Sequence, residues 1–112
     1  MDSISFEDFA KVDFRVGQIT EAVEVEGSDK LIRMVVDFGS EMESKVVFSG
    51  IKKWYSAKDL INKRSVFVVN MIPKKIMGEV SEAMIFGAED EVEDQMSILL
   101  LDKELKNGTK VF

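Results

Sequence analysis

The run from Ile32 to Phe38 constrains the fold more than any other part of the chain. Ile32, Met34, Val36 and Phe38 fall on one parity, with Arg33 and Asp37 on the other. That period of two sends successive side chains to opposite faces of an extended backbone. A helix would scatter the same four apolar groups around its axis. The segment is a strand with one face in a core, and a sheet has to be built around it.

The neighbouring segments supply that sheet. Val12, Phe14 and Val16 share one parity and Ile19, Val23 and Val25 the other, with Gly17 between them. A change of parity at a glycine predicts a bulge or sharp bend there, which lets one strand serve two sheets. Lys45 to Ser49 reads as a third strand, and Ser65 to Met71, ended by Pro73, as a core-facing fourth with Met71 inside. Pro73 to Ser81 reads as a polar, basic loop, Ala83 to Phe86 as a fifth strand, and the acidic run Glu89-Asp90-Glu91-Val92-Glu93-Asp94 as an exposed turn. Ser97 to Leu101 and Thr109 to Phe112 add short strands around a turn at Asn107-Gly108. A serine followed three residues later by an acid predicts two short helices, one from Ser5 and one from Ser56, the second stopping near Asn62. Five principal strands, a bent first strand and a helix between the third and fourth follow the order of an OB-fold. The expected fold class is all-β, a five-stranded OB-fold barrel with short helices and extra C-terminal strands, and 112 residues make one domain, 1–112.

Composition removes most chemistry. The chain has no cysteine and no histidine, so disulfides, thiol nucleophiles, histidine-based triads and the usual zinc ligand sets are excluded. No glycine loop is arranged to cradle phosphate and no serine sits at a strand-to-helix nucleophile turn. Binding without catalysis is expected, with no cofactor and no metal. The N-terminus has no basic start or signal-length apolar run, and no stretch approaches the roughly 20 apolar residues of a membrane span, so a cytoplasmic protein with no membrane partner is expected.

The formal net charge of −6 hides an uneven distribution. Residues 45 to 78 hold eight basic groups against the single acid Asp59, whereas residues 79 to 105 carry nine acids against Lys103 alone. Screening at physiological salt acts over about 8 Å, so a polyanion responds to the face it touches and little to the far side. The basic segment outranks the net charge.

Val12-Asp13-Phe14-Arg15-Val16-Gly17, Ser28-Asp29-Lys30-Leu31, Val36-Asp37-Phe38-Gly39, Ser49-Gly50-Ile51 and the block from Asn70 to Met84 together cover most of the chain. They resemble the tRNA-binding domain appended to methionyl-tRNA synthetases and found as stand-alone dimeric proteins. The last block, with Pro73, the paired Lys74 and Lys75, Met77-Gly78, Ser81 and Met84, is the specific part. The resemblance implies an OB-fold that holds tRNA by its shape, as a homodimer or beside a methionyl-tRNA synthetase. Carried over by position, the RNA contacts fall on Lys30, Asn70, Lys74, Ser81 and Met84, with Arg33, Lys52 and Lys75 as electrostatic helpers. The basic groups would neutralise phosphates, Asn70 and Ser81 would hydrogen-bond base edges or the 2′-hydroxyl, and Met84 would offer an adaptable apolar contact. The Ser81-Glu82 pair is also similar to related dimeric export chaperones, which implies an alternative, a homodimer that holds unfolded protein. For dimerisation the expected surface is Phe6 and Phe9 at one end with Val111 and Phe112 at the other.

Overall fold

The computed structural model describes residues 2–112. Helix α1 (Phe6–Ala10) and strand β1 (Phe14–Glu24) lead into β2 (Ile32–Asp37) and β3 (Lys45–Ser49). Helix α2 (Ala57–Leu60) precedes β4 (Arg64–Val68), the hairpin of β5 (Lys74–Ile76) and β6 (Glu79–Ser81), and β7 (Met84–Ile85). A second hairpin, β8 (Gly87–Asp90) with β9 (Gln95–Ile98), and a last strand β10 (Lys110–Val111) complete the chain. The main sheet runs β3-β2-β1-β4-β7, with β10 beside β1, and its pairings are antiparallel. Its two ends curl towards each other where the Glu82 N–H donates to the Val46 carbonyl at 2.8 Å. The result is the nearly closed OB-type barrel that the strand order predicts.

Alternation in β2 drives the packing. Ile32, Met34 and Val36 are fully buried and meet Ile19, Val47, Leu60 and Phe67 inside the barrel. Each such side chain contributes about 1.5–3 kcal/mol by leaving water. Phe38 and Phe67 close one end edge to face, with centroids 5.4 Å apart. Both predicted helices are present. At the first, Ser5 Oγ accepts the Asp8 N–H at 3.1 Å, the cap that satisfies a free amide of the opening turn. Past the second, Asn62 adopts the left-handed backbone (φ 74°) that ends a helix.

The bend in β1 lies elsewhere than expected. Gly17 keeps the register of its strand, and the shift falls between Ile19 and Glu21, so Thr20 is the extra residue. Below the bulge Ala22 points inward and Val23 is left exposed. The glycine has a different task. A Cβ at Gly17 would stand 2.6 Å from both Phe38 and Val36, so its side is where the core closes onto the backbone. Val12, Phe14 and Val16 are covered on the opposite face, where Phe9 of α1 stacks against Phe14 at 5.5 Å and the Val16 N–H donates to the Thr109 carbonyl.

Four further boundaries move. β4 ends at Val68, so Met71 lies beyond the sheet and is half exposed instead of buried. The segment expected as a loop from Pro73 to Ser81 is a hairpin, turned by Met77 and Gly78, both with positive φ (52° and 84°), as a type I′ turn requires. Glu89 and Asp90 belong to β8, and only the following residues turn. Of the stretch from Ser97 to Leu101, β9 takes the first part, and Leu100 makes an isolated bridge to Ser65.

Candidate nucleic-acid interface

Hairpin β5–β6 lies against the edge strand β3 of the barrel, and its pleat divides its residues between two faces. The cross-strand pairs are Lys74 with Ser81, Lys75 with Val80 and Ile76 with Glu79. Lys74, Ile76, Glu79 and Ser81 therefore share one face, and Lys75 and Val80 the other. The first face looks to the barrel. Ser81 is buried and its Oγ accepts the Phe48 N–H of β3 at 3.1 Å. Glu79 takes two hydrogen bonds from Arg33 of β2, from Nε at 2.7 Å and from Nη2 at 2.8 Å. Those bonds from the guanidinium hold the Glu79 carboxyl below its ordinary range and raise Arg33 in turn.

The tip of the hairpin reaches the loop between β1 and β2. The terminal methyl of Met77 lies 4.0 Å from where a Cβ of Gly27 would be. In that loop Ser28 Oγ accepts the N–H groups of Lys30 and Leu31 at 3.3 and 3.2 Å, and Lys52 Nζ donates to the Ser28 carbonyl at 3.0 Å. The Lys52 N–H adds a bond to the Lys30 carbonyl at 3.1 Å. Lys30, Lys52 and the hairpin tip are thus gathered around one loop, while Lys74 and Lys75 stand at the hairpin base.

A family model described as a putative tRNA binding domain matches residues 14–110. The chain belongs to that family. It is 42% identical over 111 residues to a methionine–tRNA ligase of Caldanaerobacter subterraneus subsp. tengcongensis, an alignment that takes 99% of this chain and 17% of the relative. The chain thus spans about a sixth of the length of the curated relatives it matches. Among solved structures it resembles a MetRS related protein from Pyrococcus horikoshii, with TM-score 0.92, 30% identity and full coverage of both chains. It is also similar to the chaperone CsaA of Bacillus anthracis str. Ames, with TM-score 0.87, 37% identity and coverage of 99% of this chain and 100% of that one.

Within this tRNA-binding domain the eight nominated residues fall into distinct settings. Lys30, Lys74 and Lys75 are exposed, and none has an ion-pair partner among the described residues. Arg33 is paired with Glu79, and Lys52 clasps the loop. Asn70 spends its side-chain amide on the N-terminal segment: Oδ1 accepts the Asp13 N–H at 2.9 Å and Nδ2 donates to the Lys11 carbonyl at 2.6 Å. Ser81 is buried and has one of its two hydroxyl lone pairs taken by the Phe48 N–H. Met84, on β7, is 46% exposed and open to contact.

Sequence reasoning passed over Glu79 and the local role of Glu82. Glu82 Oε1 accepts the Val46 N–H at 3.1 Å, so Ser81 and Glu82 cap neighbouring outward amides of β3. Met77-Gly78 between Lys-Lys-Ile and Glu-Val-Ser was the available signal for the hairpin. The partners of the two glutamates lie 46 and 36 positions away, and no local pattern marks such contacts.

Proposed function

We propose that this domain is a non-catalytic module that holds tRNA by its shape and charge, in a cytoplasmic setting, alone or beside a methionyl-tRNA synthetase. The single observation behind this reading is the hairpin that carries Lys74 and Lys75 from the β3 edge and meets the Gly27 loop with Lys30 and Lys52 at its tip. Lysines spaced along such a lip suit successive phosphates, and the flexible thioethers of Met77 and Met84 suit an unstacked base. A salt-dependent titration against tRNA, duplex RNA and an unfolded protein tests this reading. Affinity for folded tRNA should fall by roughly 0.7 to 0.9 log units per log unit of salt for each phosphate neutralised. Salt-insensitive or absent tRNA binding would sink the reading.

A second reading is favoured by one observation, the exposure of Met71, Ile72 and Met77 around the hairpin, with Ile72 at 91%. Apolar side chains between basic ones suit an unfolded polypeptide, in line with the similarity to CsaA. Suppressed aggregation of an unfolded client without tRNA affinity would support it.

We also propose a homodimer. Phe9 and Val111 are partly covered by the domain's own barrel, but Phe6 and Phe112 stand in solvent at 79% and 102% exposure. A two-fold that joins the termini would bury them. Light scattering at micromolar concentration should give twice the chain mass, and a monomer would overturn this.

A further inference from the structure

Hairpin β5–β6 bears most of the proposed lip yet shares no backbone ladder with the barrel; its strands pair with each other. Beyond the backbone bond from Glu82, just past β6, to the Val46 carbonyl, its pose depends on side-chain contacts at two heights. At the base, Ser81 accepts the Phe48 N–H. Near the turn, Glu79 is gripped by Arg33, whose neighbours in β2, Ile32 and Met34, are fully buried. Arg33 is therefore mounted on a strand whose flanking side chains are packed in the core. Two parallel bonds from one guanidinium to one carboxylate fix an orientation as well as a distance, which a single bond does not.

We propose that Glu79 is a positioning residue for RNA binding: through Arg33 it sets the angle of the hairpin on the barrel, and with it the place from which Lys74 meets a phosphate. The proposal rests on the tRNA-binding reading. It also reassigns Arg33, because a guanidinium held in this way presents little net charge to a polyanion. Lys74 shares the hairpin face of Glu79, so a tilt at the pair moves that lysine directly.

The sign of the effect separates this role from simple electrostatics. An acid that merely sits beside a basic lip repels RNA, and its removal tightens binding. An acid that positions the lip does the opposite. The experiment compares wild type, Glu79→Ala, Arg33→Ala and the exchanged pair Arg33→Glu with Glu79→Arg. Each is titrated with tRNA at several salt concentrations, and amide hydrogen exchange of residues 74–81 is followed without RNA. Each single variant should weaken binding about threefold to fivefold and speed exchange in the hairpin, and the two should lower the salt slope by the same amount, no more than the loss of Lys74 does. The exchanged pair should restore all three. Tighter binding by Glu79→Ala, a salt slope lowered by Arg33→Ala but not by Glu79→Ala, or restored protection without restored affinity would each overturn the proposal. Absence of tRNA binding by wild type would remove the function itself, and the exchange comparison would still read whether the pair fixes the hairpin.

Discussion

Asn70 Oδ1 accepts the backbone N–H of Asp13 across 57 positions of sequence at 2.9 Å. With the Nδ2 bond to the Lys11 carbonyl, one amide side chain ties the segment after β4 to the link between α1 and β1. Asn70→Ala should cost about 1–2 kcal/mol, the net worth of two hydrogen bonds, read as a lower urea midpoint at constant slope. Any loss of tRNA affinity should then accompany loosened N-terminal amides. Weaker RNA binding with stability unchanged would return Asn70 to direct contact.

The two lysines of the hairpin point to opposite faces, so they should not be equivalent. Lys74→Ala should lower the salt slope of tRNA binding by the value of one phosphate, about 0.7 to 0.9, and Lys75→Ala by less. Filter binding across a salt series measures both, and equal reductions would show that the pleat does not set the roles.

Gly17 faces the core with no room to spare. Gly17→Ala should destabilise the barrel by about 1–3 kcal/mol through overpacking against Phe38 and Val36. A melt followed by circular dichroism would detect it, and an unchanged midpoint would mean that these rings move aside.

Glu79 should titrate below the ordinary glutamate value of about 4.3, because its Arg33 bonds favour the ionised form. For a carboxyl with a depressed folded value, the stabilisation is complete above the unfolded value and is lost as the pH falls through the folded one. The hairpin should stay latched at neutral pH and loosen only in the acid window below about pH 4. Carboxyl carbon NMR follows the midpoint, and Arg33→Ala should move it upward.

The sequence exposed the core more fully than the lip, for a physical reason. Ile32, Met34 and Val36 declare their burial through a period that is local to the strand. β1 misled because both its faces are covered near the N-terminus, so Val12, Phe14 and Val16 look like core-facing residues and conceal a bulge at Thr20. The hairpin from Lys74 to Ser81 is short and polar, and its stability comes partly from Arg33 and Phe48, far away in sequence. Lysines could be nominated from charge clustering and family resemblance. Their unequal orientations required the pleat.

The caps that Ser81 and Glu82 place on β3 carry one more consequence. Val46 and Phe48 would otherwise present unpaired amides along the rim of the sheet, the template onto which stray strands add. Those amides are already engaged by side chains of the same molecule. Crowded copies of the domain therefore find no vacant rung there from which to grow a shared sheet, and protection against fibrous association is built into the same residues that seal the barrel.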